Sequence, residues 1–511
     1  MPHLESSPSD LSSEDLEYLR RKGALNLPSR QLLQGLLDAF VSYVYPFLPI
    51  LDLQDFLQTL QQDLSQDQPA LRPGSKTSLI VIQGVLFSAT GFVDQSLLQQ
   101  EGFTSRKQAR EHYFRKVKLL YDFGHETSRI AIIQALLLMT FWQESMDDEK
   151  DASHWIGVAF SQAHTVGMEQ AINESGEGSK KQKQWRRIWW SIFVRDALVA
   201  LGTRRSPRID LVSNPRMLQV SDFDFCTDSS ALAILADSFV VARDVETQHQ
   251  FANMFIALAQ LCIHIRDTLD TQYSVHTRSD ATNTSRSIVM LSPSQQPDGT
   301  KRKQIEDALT LWELRFLELH DPRWLDDTNA PIHFHQAVLH MLYNATAATL
   351  YRPTFQALST TPYCRKVSRL SIANAASRIT KSATDLYNLS LHRFLPASGI
   401  TVIMVALMAH VAELQRSQGQ AERETHIGGI RLCFAVLNEL RDIYNAADDA
   451  VALANALPKE LTGQSSGVGI GSAKGTEADL TSNLSFDETW EDDTVEAMFL
   501  RLAGNGPPRP P

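Results

Sequence analysis

The sequence predicts an all-α protein, a large body of many helices in one continuous unit. Apolar residues recur at helical spacing along most of the chain, no segment shows the alternation of a half-buried strand, and no repeat of fixed period is visible. The 511 residues are 43% hydrophobic and 21% charged, a globular composition with enough chain for a large core. We expect the body to occupy residues 13–457, with disordered ends at 1–12 and 458–511 and one long disordered loop at 275–303.

Capping residues mark the first helices. Ser12 or Ser13 precedes EDLEYLRRKGAL, and Gly23 is the expected end of that helix. The leucines of RQLLQGLLDAF recur at helical spacing until Pro46 ends the next helix, and Asp52 can cap the one after it. The chain is therefore expected to enter the body through three successive helices.

Two later segments, 77–91 and 128–143, are apolar almost all round and should form central helices. Gly84 and Ser88, four residues apart, would let another helix approach closely. The most apolar helices, including one around 399–414, are too short to cross a bilayer, and the N-terminus lacks the basic start and apolar run of a signal peptide. We therefore expect no membrane contact.

Polar segments separate the remaining helices. The acidic run ESMDDEKD at 144–151 lacks the glycine and distal glutamate of a calcium loop, so we expect a solvated loop in which Asp151 caps the following helix. Residues 275–303 are rich in Ser, Thr, Asp and Gln and have no apolar period, which predicts the disordered loop. After Pro458 the chain becomes rich in Gly and Ser and then acidic.

Charge and cysteine content argue against several classes of protein. The formal net charge of −11 argues against a chain devoted to gripping phosphates. The cysteines are far apart and form no C-x-x-C pair, so neither a structural zinc site nor a disulfide framework is expected, and an intracellular, reducing compartment fits. We find no phosphate loop, serine elbow or H-E-x-x-H motif, and we expect no catalytic residues and no enzyme. The cysteines are Cys226, Cys262, Cys364 and Cys433.

Three histidines lie close together in HFHQAVLH. On a helix, His333 and His340 share a face and His335 points elsewhere. Two imidazoles without a fixed third ligand are weak evidence for a metal site. We therefore favour ordinary surface or capping roles and predict no metal ligands.

Residues 184–210, QWRRIWWSIFVRDALVALGTRRSPRID, interleave tryptophans with arginines, as do many proteins that grip nucleic acid. On a helix, however, the apolar residues cover most of the circumference, whereas a DNA-gripping helix would give one whole face to Arg and Lys. The adjacent Arg186 and Arg187 diverge by about 100°. We therefore favour a buried helix whose arginines pair with carboxylates or cap carbonyls, with Asp196 pairing with a neighbouring arginine.

The same stretch resembles the signature helix of the fungal-specific transcription factor domain, the middle homology region of fungal zinc-binuclear-cluster regulators. Other segments agree in order: YVYPFLPILDLQDF resembles the entry motif of the family, SDFDF its Asp-Phe-Glu element, and LYRP part of a later helix. The resemblance covers about 15–450, and EDLEYLRRKGALNLP is most similar to the cutinase-transcription-factor subgroup. The residues that match the signature and its turn are Trp185, Arg186, Arg187, Trp189, Trp190, Arg195, Asp196, Gly202, Arg205 and Pro207.

The resemblance implies a transcriptional regulator whose all-helical regulatory body controls gene expression through an effector or a partner, in the nucleus or otherwise in the cytoplasm. A homologous regulator, or a second copy of the chain, is expected to pair through the helical body. The alternative is a small-molecule-binding helical protein or an enzyme of unknown type, because large helical bodies can enclose pockets.

Zinc-cluster regulators usually carry an N-terminal group of six cysteines that binds two zinc ions and places a helix in the major groove. Here the first cysteine is Cys226, so we expect neither a zinc cluster nor another cofactor in this chain, and no direct sequence-specific DNA binding by it. A truncated gene model of a full zinc-cluster regulator is a further alternative.

Residues 477–500 mix apolar side chains with acids and contain no Lys or Arg. Such acidic–hydrophobic alternation is typical of disordered activation segments that a coactivator buries. A tail helix that docks on the body is an equally weighted alternative. The apolar residues of this candidate activation segment include Phe486, Trp490, Phe499 and Leu500.

Overall fold

The predicted all-α class is confirmed by the structure, a computed structural model. Within its described residues the chain forms seventeen α-helices and a single two-stranded hairpin. The candidate activation segment and the rest of 456–511 lie outside those residues, as do 1–10. The structure describes residues 11–64, 78–142, 150–173, 179–211, 215–228, 231–235, 242–280, 283–319, 330–357 and 359–455.

Three of the first nine helices begin at predicted caps, which are Ser12, Asp52 and Asp151. The Ser12 hydroxyl accepts a hydrogen bond from Asp15 N at 3.1 Å, and Gly23 ends the first helix with a φ of +69°. The predicted cap at Asp151 is also present, since its carboxylate accepts from His154 N at 2.9 Å. The helices are α1 Ser13–Arg21, α2 Arg30–Ala39, α3 Leu53–Leu64, α4 Leu79–Ala89, α5 Gln95–Gln100, α6 Arg106–Asp122, α7 Arg129–Met139, α8 Ala152–Thr165 and α9 Met168–Asn173.

The two helices that are apolar almost all round, α4 and α7, lie in the centre of the core, as predicted. Every residue of α4 from Ile80 to Ala89 is buried. A Cβ at Gly84 would lie 2.9 Å from Leu138 Cδ1, so the absence of a side chain there lets α7 pack directly on α4.

The second half of the chain forms mostly longer helices, which pack mainly on one another. Helix α10, which carries the tryptophan–arginine stretch, packs against α7, α8, α9, α11 and α15 and therefore joins the two halves. The helices are α10 Lys180–Thr203, α11 Val245–Gln272, α12 Gly299–Leu319, α13 Ala330–Gln356, α14 Pro362–Asn388, α15 Ala397–Arg416, α16 Gln420–Leu440 and α17 Asn445–Asn455.

A β-hairpin corrects the prediction of a disordered loop over 275–303. Strand β1, Tyr273–Asp280, pairs antiparallel with β2, Asn283–Pro293, and α12 already begins at Gly299. At its base the hairpin is tied to the body, because Leu291 N donates to Arg204 O at 2.7 Å. The ladder is made of backbone hydrogen bonds, so it forms in a polar segment that has no apolar period to reveal it.

Helix α15 is also longer than predicted, with 20 residues. It is the one helix in the described part of the chain that is long and apolar enough to cross a membrane by length and composition, so the argument from shortness does not hold for it. Its apolar window is 67% buried inside the body, and core helices of globular proteins pass the same test.

Candidate functional site

Helix α10 is buried along most of its length. It begins with a capping box, in which the Ser179 hydroxyl accepts from Gln182 N at 3.3 Å and the Gln182 side chain accepts from Ser179 N at 2.9 Å. Trp189 and Trp190 are 2% and 1% exposed, whereas Trp185 nearer the start is only partly buried. The tryptophans of this helix therefore belong to the core, which is the burial that the apolar circumference predicts.

Two buried arginines tie α10 to distant segments. The Arg186 guanidinium forms an ion pair with the Asp222 carboxylate in the SDFDF segment. The neighbouring guanidinium of Arg187 donates to Asp222 O at 2.5 Å, to Pro49 O at 3.1 Å and to Leu51 O at 3.3 Å. These contacts match the expected pairing with carboxylates and capping of carbonyls, and they hold the Pro49–Leu51 segment and the SDFDF segment against the helix.

Further along α10, Arg195 and Asp196 bind different partners. Arg195 donates to the hydroxyl and the carbonyl oxygen of Thr140, both at 2.8 Å, and burial lowers its pKa to about 10. The Asp196 carboxylate accepts from Arg208 N at 2.7 Å and from Ile209 N at 3.0 Å. The expected pairing of Asp196 with an arginine side chain is therefore corrected: its bonds are to the backbone of the turn that follows the helix.

Burial also acts on the carboxyl of Asp196. Desolvation raises its pKa, while the backbone N–H groups of Ile209 and Arg208 act in the opposite direction. The Asp196 carboxylate therefore loses solvation on burial, and its hydrogen bonds to the backbone hold the turn in place.

The turn itself is built by residues that the sequence had singled out. A Cβ at Gly202 would lie 2.9 Å from Thr401 Oγ1, so this glycine allows the end of α10 to approach α15. Arg204 caps the helix in the left-handed conformation, with a φ of +53°, a position that glycine usually fills. Arg205 then pairs with the Asp151 carboxylate, and Pro207 is partly exposed.

This turn and α8 border an open surface pocket of about 440 Å³, which we call the turn pocket. Arg208 reaches across it and donates to the Ser153 hydroxyl at 3.0 Å. A Cβ at Gly157 would collide with Arg208 Nη1, so this glycine makes the room in which the guanidinium lies. The pocket is lined by Asp151, His154, Gly157, Val158, Ser161, Arg205 and Arg208.

The electrostatics of the turn pocket are set by few groups. The pKa of His154 is lowered, first by burial and then by the positive charges of Lys150 and Arg208. The imidazole is therefore neutral near neutral pH, and the lining carries the charges of the two arginines and of Asp151. Of these lining residues, the sequence identified only Arg205, in the signature turn, and Asp151, as a cap. The others could not be identified, because nothing local in the sequence shows that α8 and the turn meet.

The histidines of HFHQAVLH lie in different surroundings. Of the surface or capping roles expected, His335 has no surface position: it is a core residue with Nε2 2.7 Å from Ser42 O, and burial lowers its pKa to about 4. The Nε2 atom of His340 accepts from Arg378 Nη2 at 2.7 Å and lies 3.7 Å from the Glu313 carboxylate. Among the residues that the structure describes, no three His, Cys, Asp or Glu side chains form a group that could hold a metal ion.

The four cysteines are reduced, and three of them are buried. Burial raises the pKa of the Cys226 thiol to about 11 and that of Cys433 to about 12, and it raises the pKa of Cys262 as well. A thiolate is the form that binds metals, so these three side chains are poor ligands.

Comparison with known proteins agrees with the signature. The model of the fungal specific transcription factor domain matches residues 37–314, which include α10, its turn and the whole turn pocket. The chain belongs to this family. The resemblance seen in the sequence is thereby confirmed, and the family is one of regulators rather than enzymes.

Relatives with similar sequences are transcription factors. Cutinase transcription factor 1 beta of Fusarium vanettenii is 39% identical over 471 residues, which cover 89% of this chain and 52% of that protein. Transcription factor cpaR of Aspergillus oryzae is 31% identical over 432 residues, which cover 81% of this chain and 69% of that protein. The chain thus spans about half the length of the Fusarium relative.

The structure of the K. lactis CBF3 core aligns with 88% of this chain and 82% of its own, at a TM-score of 0.49 and 10% identity. This likeness lies below the level at which a shared fold can be inferred.

Proposed function

We propose that the helical body is the regulatory part of a nuclear transcriptional regulator, which acts through a bound partner or effector. Membership of the fungal specific transcription factor domain family supports the regulatory role. The observation that carries the mechanism is the burial of the α10 arginines. Because Arg186, Arg187 and Arg195 are bound within the body to Asp222, Thr140 and backbone carbonyl oxygens, their guanidinium groups are not available to DNA phosphates.

Promoter recognition is then supplied from outside the helical body. The net charge of −11 disfavours phosphate binding by the chain as a whole. The cysteines are dispersed and three of their thiols have raised pKa values, which supports a body without a zinc cluster. We propose that a homologous regulator, which pairs with the helical body, contributes the DNA reader, and that a coactivator binds residues 477–500. Self-association through the helical body is the alternative to this pairing.

A gel-shift assay of the purified chain against a promoter library at ~150 mM salt tests the DNA claim. We expect at most sequence-independent binding that weakens with salt, with a Kd of roughly 10⁻⁴–10⁻⁶ M. A specific reader would reach about 10⁻⁸ M or better under these conditions. One reproducible sequence-specific shift by the isolated chain would contradict the proposal.

The regulatory role is tested by comparing transcripts of a deletion strain with those of the strain in which the gene has been restored. We expect a defined set of transcripts to change on deletion and to recover on restoration. Unchanged transcripts under every growth condition tried would count against regulation. Sequencing the 5′ end of the transcript distinguishes a chain that acts without its own reader from a truncated gene model.

A further inference from the structure

The turn pocket combines features of a binding site that the family assignment does not explain. Arg205 is held by Asp151 and Arg208 by Ser153, so both guanidinium groups are fixed by partners on or beside α8. Each guanidinium carries several N–H donors in a rigid fork, and these contacts occupy only part of them. Each cation of the pocket therefore has one polar partner and keeps donors for a further acceptor.

The size and charge of the pocket define what fits. Its volume of about 440 Å³ lies in the range of small-molecule sites. Among the described lining residues, Arg205 and Arg208 against Asp151 leave one positive charge. A single carboxylate balances the lining better than a phosphate dianion does.

The remaining lining residues define the rest of the ligand. Val158 is the one aliphatic side chain of the lining, whereas Ser161 and His154 offer a hydroxyl and an imidazole. A short ligand body with hydroxyl or amide groups matches these partners better than a long alkyl chain.

A larger surface groove, of about 600 Å³ between α1 and α6, is a weaker candidate. Two of its four cations are paired with acids on the same helix, Arg115 with Glu111 and Lys118 with Asp122. The lining keeps an excess of positive charge through Lys22 and Lys116, but a lysine ammonium lacks the planar fork with which an arginine binds a carboxylate through two hydrogen bonds.

We propose that the turn pocket binds a small organic monocarboxylate, whose carboxylate is held by the guanidinium groups of Arg205 and Arg208. Because Asp196 holds the backbone of Arg208 and Ile209, a ligand in the pocket would fix this turn against α8 and α10. The role of such a ligand as an effector rests on the regulatory function proposed above, whereas its binding does not.

Binding is tested on the purified full chain with a panel of sodium salts from acetate through lactate to gluconate, with ionic strength held constant by NaCl. Ligand-detected NMR gives the affinity, and thermal unfolding gives the stability of each variant. We expect at least one hydroxylated monocarboxylate to bind. Its Kd should rise at least about tenfold in Arg208→Gln, because a charge-assisted hydrogen bond is lost. Arg115→Gln, which changes an exposed, paired arginine outside the pocket, should bind as the wild type does.

Gly157→Ala separates binding from folding. Alanine favours a helix interior over glycine, so the thermal midpoint should be kept, while the added methyl group displaces the Arg208 guanidinium and weakens binding. Undiminished binding by Gly157→Ala, or no monocarboxylate binding that depends on Arg208, would overturn the site. Binding of inorganic phosphate alone would overturn the ligand class. Neither result bears on the transcript comparison, which judges the regulatory function separately.

Discussion

The two ends of α10 use arginine in opposite ways. In its first turns, Arg186 and Arg187 are buried in the core, where Arg186 pairs with Asp222 and Arg187 donates to backbone carbonyl oxygens. After its last turn, Arg205 keeps 38% of its side chain exposed and lines a pocket with Arg208. The same residue type therefore stabilises the fold in one region and remains available to a ligand in the other. The difference lies in what the tertiary structure places opposite each guanidinium.

Trp189→Ala should have the largest effect, because it empties the volume of a side chain at the buried face of α10. We expect the free energy of unfolding to fall by about 3–5 kcal/mol. Urea unfolding followed by far-UV circular dichroism measures it. Trp185→Ala, a matched truncation of a partly buried tryptophan on the same helix, should cost less. Equal losses would show that burial does not distinguish the two positions.

Arg186→Ala should cost nearly as much, about 3–5 kcal/mol, because it leaves the Asp222 carboxylate buried without its cation. The same unfolding measurement applies. A loss under about 1 kcal/mol would break the contrast between the two ends of α10, since that is the size expected of an exposed pair.

The contrast between buried and accessible basic groups extends to histidine and predicts a pH dependence. The pKa of His335 in the folded protein is about 4, below its ordinary value of about 6.5, so the unfolded chain takes up the proton first as pH falls. His335 therefore does not change the free energy of unfolding above about pH 7. Between about pH 6.5 and 4 it lowers the free energy of unfolding, by about 2 kcal/mol at pH 5.

Unfolding measured from pH 7 to 5 checks this expectation. His335→Gln removes the titrating ring but keeps a donor for Ser42 O, and its stability should depend less on pH than that of the wild type. His154→Gln, at the accessible pocket, should change the slope less. An unchanged slope in His335→Gln would contradict the assignment of the acid sensitivity to this residue.

Arg205→Ala should have the smallest effect on stability, about 0–1 kcal/mol, because its ion pair with Asp151 is partly exposed. The thermal midpoint checks this. A loss as large as that of Arg186→Ala would mean that the turn is as much a part of the core as the start of α10, and the functional contrast between the two ends would fail.

The capped and strongly periodic helices could be predicted from sequence because their signals are local. Asp151 caps α8, and Gly84 allows α7 to pack closely on α4, as expected from their immediate neighbours. The hairpin at Tyr273–Pro293 could not be predicted in this way, since its stabilising bonds run between backbone groups and leave no apolar period. The length of α15 was likewise underestimated from its apolar residues alone.

The candidate site likewise has features that the sequence predicts and features that it does not. Spacing alone indicated that α10 is buried, but not that Arg187 binds the carbonyl oxygens of Pro49 and Leu51, which lie well over a hundred residues away. It also suggested an arginine partner for Asp196, whereas the carboxylate holds the backbone of the turn. The turn pocket has no sequence motif, because it exists only where α8 meets that turn.

The sequence by itself therefore determined the all-helical class, the main caps and the burial of α10, because periodicity and capping act over a few residues. The family followed from the resemblance of its ordered motifs. The tertiary structure alone decided which arginines are buried against partners and which line the turn pocket. The reason is physical: a guanidinium keeps its charge wherever it lies, so its role depends on the acceptors and the solvent that distant segments bring to it.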